Sequence, residues 1–301
     1  MEKEIYFYSN SIKLPGTISF PEDLPPEKGW PAVILSHGYG ASREEFGDFI
    51  MLSGFLRSIK IAALRFDFSG CGRSDFLPGR MLCGSQWIDD LKNAVSFLSV
   101  YPNIDRQRIC MLGESMGAAA AISAAADDRR VKIVISLSAI ADGFEWVKNN
   151  WLKNKNKREF NSFLNTLEED GRREAAYRSS NLVRMSDALA YEKRYTDLIE
   201  EIRKVFDDRS FTYYIQYASI SSIFSLKPLK VVKKIAPRPL LILAGKKDEI
   251  VPCEKNSQKL FKRAGTVKKM IVYDEGDHGL FGGPAKEDAL GQISEWLTKY
   301  L

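Results

Sequence analysis

The residues Gly113-Glu114-Ser115-Met116-Gly117 join two stretches of opposite character. Residues 108–112 are short and apolar, which predicts a buried strand, and residues 118–126 are rich in alanine, the strongest helix former. A serine between two glycines at a strand-to-helix junction is typical of a nucleophile elbow, whose tight turn holds the hydroxyl above the sheet. The helix N-terminus behind it favours developing negative charge. The alternative is a glycine-rich turn whose serine only caps the helix.

The composition is that of an ordinary globular protein. The chain has 301 residues, of which 45% are hydrophobic and 28% are charged, which allows one large domain or a domain with an insertion. Its formal net charge is +5, with basic residues interspersed among acidic ones, so no nucleic-acid binding is predicted. The N-terminus is charged and no stretch approaches the ~18 apolar residues of a membrane span. We therefore predict neither a signal peptide nor a membrane span.

Cysteine and histidine usage argues against a metal site. The cysteines fit no zinc-ligand spacing and are interpreted as reduced structural thiols of a cytoplasmic protein. Only two histidines are present, His37 and His278, too few for a histidine-rich metal site. The sequence predicts no metal, no organic cofactor and a cytoplasmic localisation.

Apolar runs with β-branched or aromatic character alternate with amphipathic helical patterns along most of the chain. The runs lie at residues 4–8, 13–20, 32–37, 61–66, 108–113, 132–138, 239–244 and 269–273. This alternation predicts an α/β fold with a mostly parallel central sheet flanked by helices. Asn10-Ser11 separates the first two runs and Pro15 lies in the second, so we expect these two to form an antiparallel hairpin at the sheet edge.

The alternation breaks between residues 141 and 231. Residues 144–210 are charged and rich in helix formers, and an aromatic, almost uncharged stretch follows at residues 211–217. A single crossover between strands needs far fewer residues. We therefore predict a core of residues 1–140 and 232–301 with an inserted, mainly helical cap at residues 141–231; the alternative is that these helices belong to the core.

The chain order of serine, acid and histidine suits nucleophilic catalysis. A serine alcohol needs a base, and the base needs an acid that fixes its tautomer and stabilises its cation. His278 lies in the loop after the last predicted strand, which makes it the predicted base. Asp248 follows the preceding strand and is the predicted acid. The competing carboxyls are Glu249 beside it and Asp274, Glu275 and Asp277, which lie close to the histidine in its own loop.

An oxyanion intermediate needs two N–H donors. One predicted donor is the backbone N–H of Met116, directly after the serine, and the other is that of Tyr39, in the loop after an early strand. His37 precedes that turn and is predicted to have a structural role.

Together these motifs resemble the α/β-hydrolase superfamily. The motifs that carry the resemblance are residues 36–42, 64–75, 113–117, 245–252 and 276–278, and they span nearly the whole chain outside the predicted cap. Within the superfamily the chain looks most like the bacterial feruloyl or cinnamoyl esterases, which share the oxyanion loop and an inserted cap. It has Glu114 and Met116 where that group carries histidine and glutamine. Dienelactone hydrolases share the scaffold but use cysteine where this chain has Ser115.

The resemblance implies a serine carboxylic-ester hydrolase with Ser115, Asp248 and His278 as catalytic residues, acting through an acyl-enzyme. The expected substrates are small to medium acyl or aryl esters, hydroxycinnamoyl esters among them. Tyr213, Tyr214 and Tyr217 of the predicted cap are expected to line an apolar pocket. The alternatives are an acyltransferase or small peptidase with the same triad, and a non-catalytic ligand-binding relative. A small-molecule ester is the expected partner, and a homodimer is left open.

Overall fold

The computed structural model describes residues 1–207 and 209–301. It contains a central sheet built from β1 (Glu2–Ser9), β2 (Ile12–Ser19), β3 (Trp30–Ser36), β4 (Ala62–Phe66), β5 (Ile104–Glu114), β6 (Val131–Leu137), β9 (Leu240–Gly245) and β10 (Lys268–Tyr273). The strand order is β1-β2-β4-β3-β5-β6-β9-β10. Every neighbouring pair from β4 to β10 is parallel. The predicted α/β-hydrolase fold with a mostly parallel sheet is therefore confirmed.

The expected hairpin lies at the edge of this sheet. β1 and β2 pair antiparallel, and β1 is the outermost strand. Asn10 and Ser11 between them both have positive φ, 47° and 68°, which is the geometry of a tight hairpin turn. Pro15 lies just beyond the pairing with β4, which begins at Gly16 opposite Phe66. The Pro15 carbonyl still accepts the Asp67 N–H at 3.0 Å, so the proline's missing N–H falls at the end of that ladder.

Helices cover both faces of the sheet. The helices of this part of the chain are α1 (Asp48–Ser58), α2 (Gln86–Val100), α3 (Ser115–Asp127), α10 (Ser257–Arg263) and α11 (Lys286–Tyr300). Successive strand residues point to opposite faces: Met111 of β5 packs in the cluster with α2 and α3, whereas Cys110 and Leu112 pack in the cluster with α1 and α11. Burial on both faces explains why the central strands are continuous apolar runs.

Between β6 and β9 the chain forms helices and one short two-stranded sheet. The helices are α4 (Gly143–Asn154), α5 (Lys157–Tyr177), α6 (Met185–Ala188), α7 (Lys193–Val205), α8 (Tyr217–Ser225) and α9 (Pro228–Val231), and β7 (Leu182–Arg184) pairs antiparallel with β8 (Tyr214–Gln216). Asp142 and Asn156 cap α4 and α5 by accepting hydrogen bonds from the first-turn N–H groups. We refer to residues 141–231 as the intervening segment.

Two further expectations concern thiols and membranes. Each of the four cysteines lies within the described ranges and is a buried free thiol. Of the helices in residues 1–207 and 209–301, none has the length and apolarity needed to cross a membrane.

Candidate active site

The turn at Ser115 is closely packed and strained. β5 ends at Glu114, α3 begins at Ser115, and the serine has φ of 55° in the left-handed region that non-glycine residues rarely occupy. A Cβ on Gly117 would lie 2.2 Å from the carbonyl oxygens of Ser36 and His37. Glycine is required there because the start of α3 presses against the end of β3. The serine side chain is thus held at the carboxyl edge of the sheet.

Asp248 and His278 reach the same edge from two other strands. Asp248 follows β9 and His278 follows β10, and both strands run parallel to β5 through β6. Oδ2 of the buried Asp248 lies 2.7 Å from His278 Nδ1, and Oδ1 accepts the Val251 N–H at 2.7 Å. With Nδ1 bound to the carboxylate, the Nε2 atom of His278 remains for the serine.

Burial lowers the pKa of His278, but the charge of Asp248 and its hydrogen bond outweigh that effect and raise the pKa to about 9. Two bonds fix the orientation of Asp248, whereas Glu249 pairs with Arg194 and Asp277 accepts the backbone N–H of His278. Asp274 and Glu275 instead pair with lysines, Lys246 and Lys247. The geometry therefore couples the histidine to Asp248.

The loop after β3 brings Tyr39 to the nucleophile. Tyr39 and Met116 both line the cavity that contains Ser115 and His278. The Met116 N–H lies in the first turn of α3, where helix N–H groups have no partner within the helix. The two backbone N–H groups predicted to bind the oxyanion thus belong to residues that line the same cavity.

His37 supports this loop from below. Its Nε2 accepts the Phe68 N–H at 3.1 Å, which leaves Nδ1 protonated to donate to the Gly38 carbonyl at 2.9 Å. Burial lowers the pKa of His37 to about 4, so the ring is neutral. The two hydrogen bonds of His37 hold the loop in place, which agrees with the structural role predicted for this residue.

A cavity of about 470 Å³ lies above the serine. Its floor contains Ser115, His278 and the oxyanion loop. The intervening segment supplies about half of its apolar lining residues, among them Trp146, Met185, Leu198, Ile199, Ile202 and Phe211. The volume is in the range of small-molecule sites. Among the described residues, no group of three or more histidine, cysteine or acidic side chains is placed to hold a metal ion.

The three tyrosines expected in this pocket lie elsewhere, and that prediction is corrected. Tyr213 and Tyr214 border a separate pocket of about 180 Å³. Tyr213 hydrogen-bonds Glu200 through its hydroxyl, and Tyr217 packs on Phe163. Tyr214 lies in β8, which pairs with β7, and Tyr213 and Tyr217 flank that strand.

Sequence reasoning missed the residues of α7 and two acidic side chains. Tyr195, Leu198, Ile199 and Ile202 line the cavity, and their spacing along α7 is that of one helix face, a signal present in the sequence. Glu45 and Glu114 are buried cavity residues, at 7% and 6% exposure. Burial raises the pKa of Glu45 to about 8. Burial raises the pKa of Glu114 well above its ordinary value, and the neighbouring carboxyl of Glu45 adds to this effect.

The chain is similar over most of its length to two fungal proteins. It is 24% identical to the polyketide transferase ATR5 of Stachybotrys chlorohalonatus, covering 90% of this chain and 89% of that protein. It is 25% identical to the thiohydrolase aneE of Aspergillus aculeatus, covering 88% and 84%.

Solved structures and a family model agree with the fold. DcsB in complex with its substrate analogue matches with a TM-score of 0.85 at 17% identity, covering 100% of both chains. Est1E of Butyrivibrio proteoclasticus with ferulic acid bound matches with a TM-score of 0.65 at 20% identity, covering 98% and 96%. The model of the Hydrolase_4 family, described as serine aminopeptidase S33, matches residues 30–285, and the chain therefore belongs to this family of α/β-hydrolases.

Proposed function

We propose that the protein is a serine hydrolase that cleaves carboxylic esters or thioesters through an acyl-enzyme. The observation that carries the proposal is the 2.7 Å contact between His278 Nδ1 and Asp248 Oδ2, in a cavity that also contains the strained Ser115. A paired imidazole beside a raised serine is the arrangement that activates an alcohol as a nucleophile.

The proposed reaction uses these groups in two steps. Ser115 Oγ attacks the substrate carbonyl carbon while its proton passes to His278 Nε2, and the N–H groups of Tyr39 and Met116 bind the oxyanion. The carbonyl re-forms, the bond to the alcohol or thiol breaks, and His278 returns the proton to that leaving group. Water then attacks the acyl-enzyme while its proton passes to His278, and collapse of this second intermediate returns that proton to Ser115 Oγ and releases the acid.

The intervening segment is proposed to act as a cap that selects the substrate. It contributes apolar residues to the cavity wall above Ser115, among them Ile199, the one buried residue of α7. A mostly apolar space of about 470 Å³ suits small to medium acyl or aryl groups. Hydroxycinnamoyl esters are one class within that range, in line with the resemblance to feruloyl esterases.

The test is hydrolysis of p-nitrophenyl esters and of matched acyl thioesters by the wild-type protein and Ser115→Ala. We expect Ser115→Ala to lose turnover while its circular dichroism spectrum stays the same as that of the wild-type protein. Turnover that survives the substitution would refute the proposal. A series of acetyl, hexanoyl and feruloyl esters then ranks the acyl groups.

A second candidate is acyl transfer with the same triad. It is favoured by the similarity to a protein named as a polyketide transferase. The two functions differ only in whether water or another nucleophile resolves the acyl-enzyme. Product analysis with added alcohols and amines separates them, and an amine product formed from peptides would identify a small peptidase. A ligand-binding relative without catalysis would leave Ser115 unlabelled by a fluorophosphonate.

A further inference from the structure

Among the described residues, five carboxyl side chains line the active-site cavity of this protein, whose formal net charge is +5. They are Glu45, Asp48, Glu114, Glu275 and Asp277, and within residues 1–207 and 209–301 no lysine or arginine lines the cavity. Glu275 pairs with Lys247, and Asp277 accepts the His278 N–H at 2.8 Å. We call the remaining three, Glu45, Asp48 and Glu114, the carboxyl cluster.

Glu114 has an oxygen without a protein partner. The side chain is 6% exposed and lines the cavity, and its Oε2 atom makes no hydrogen bond to any described residue. Burying an unpaired polar atom is unfavourable, so a ligand group that donates a hydrogen bond to this oxygen removes a cost already present in the protein. The residue directly precedes Ser115, which places such a group near the reacting carbonyl.

Glu45 lies close to Ser115 and to Gly38. Its Oε2 accepts the Gly38 N–H at 2.5 Å. A Cβ built on Gly38 would lie 3.2 Å from Glu45 Oε1 and 3.7 Å from Ser115 Cβ, so this carboxyl is beside the serine. Glu45 and Phe46 have φ of 42° and 54°, and this strained turn holds the acid under the oxyanion loop.

We infer that the carboxyl cluster is a subsite for a protonated amine of the substrate, close to the scissile carbonyl, on an otherwise apolar acyl or alcohol group. The inference rests on the proposed ester or thioester hydrolysis, because it names the substrate class for that reaction. An ammonium group supplies donors for Glu114 Oε2, and its positive charge favours the ionised form of Glu114 and Glu45, which their burial opposes. A metal ion is a poorer occupant, because the described acidic groups do not converge as ligands.

The inference is tested with pairs of esters that differ only in charge. The acyl pair is the p-nitrophenyl esters of β-alanine and butanoic acid, in which ammonium replaces methyl. The alcohol pair is 2-(dimethylamino)ethyl butanoate and isopentyl butanoate. Each kcat/KM is divided by the uncatalysed hydrolysis rate, which removes the intrinsic reactivity of the ester.

We expect the wild-type protein to prefer the amine ester of at least one pair by about 10- to 100-fold, the range expected for a charge-assisted hydrogen bond. Glu114→Gln and Glu45→Gln keep the shape but cannot ionise beside the ammonium group, and each should bring this preference close to one. Glu275→Gln is the matched control, because it removes one cavity-lining charge that Lys247 already pairs, and it should keep the preference. Equal preference in the wild type and Glu114→Gln would overturn the inference.

A binding measurement separates this inference from the proposed function. n-Butylammonium chloride and butan-1-ol are titrated by calorimetry into Ser115→Ala and into Ser115→Ala with Glu114→Gln. Binding of the ammonium alone, lost in the double variant, supports the subsite even if the wild-type protein hydrolyses no ester. Ester turnover without any ammonium binding or preference refutes the subsite and leaves the proposed hydrolysis standing.

Discussion

Replacing Asp248 with asparagine probes the pairing of a buried carboxylate with the proposed base. Asp248 Oδ2 lies 2.7 Å from His278 Nδ1. Burial lowers the pKa of the histidine, yet the carboxylate more than compensates and raises that pKa from 6.5 to about 9. One pKa unit corresponds to about 1.4 kcal/mol, so the surroundings favour the imidazolium by about 3 kcal/mol. The same preference stabilises the imidazolium that forms when His278 takes the serine proton.

We expect Asp248→Asn to lower kcat for ester hydrolysis by about 10²- to 10³-fold, the factor that this energy implies. The pH dependence should change as well. His278 acts as a base only when neutral, so wild-type kcat/KM should rise with pH and level off above about 9. Without the carboxylate charge the pKa of His278 falls toward 6.5, and the plateau should begin at lower pH.

The assay is the initial rate of p-nitrophenyl butanoate hydrolysis from about pH 5 to about pH 10. The rate of Ser115→Ala is subtracted as background. Asp274→Asn is the matched control, since it neutralises an exposed acid that pairs with Lys246 and should leave the profile unchanged. A loss of less than tenfold in a folded Asp248→Asn, or the same plateau in both proteins, would refute the reasoning.

Three further predictions concern the packing and the wall of the site, the first with a matched control. Gly117→Ala should lower the free energy of unfolding, measured in urea, by about 2 kcal/mol or more, because the new Cβ would lie 2.2 Å from backbone oxygens. Gly171→Ala is the control: it lies in α5 with open space around it, and it should raise the free energy of unfolding by up to about 1 kcal/mol. Trp146→Phe should cost about 1 kcal/mol in the same measurement, since the indole N–H bonds the Ile250 carbonyl at 2.7 Å; no change would mean that water replaces that bond. Leu198→Asp should raise KM for hexanoyl esters more than for acetyl esters, because Leu198 lines the apolar wall, and equal effects on both would place the acyl chain elsewhere.

The chain-order argument brings three residues to one edge of the sheet for a topological reason. In a parallel sheet the residues that follow each strand lie at one edge, so the loops after the runs that became β5, β9 and β10 had to meet. The buried apolar runs mark those strands in the sequence itself. Ser115, Asp248 and His278 could therefore be predicted from position alone, without knowing any contact.

The pocket walls could not be predicted in this way. The orientation of Tyr213 and Tyr214 depends on the pairing of β8 with β7, which is a long-range contact with no local signature. Glu45 lies in the polar stretch Ser42-Arg43-Glu44-Glu45, which is typical of an exposed turn. Its burial follows from the positive φ of Glu45 and Phe46, a conformation that the residue types disfavour.

The proposed triad also has a consequence for biosynthesis. Ser115 follows the fifth strand of the sheet, whereas His278 follows the last, and the two meet only after β6 and β9 have joined the sheet between them. During synthesis the serine emerges long before its base, so the growing chain holds an unactivated alcohol. Ser115 would then react with a fluorophosphonate only after the final strand has joined the sheet. The rate at which Ser115 is labelled would therefore report how fast folding is completed.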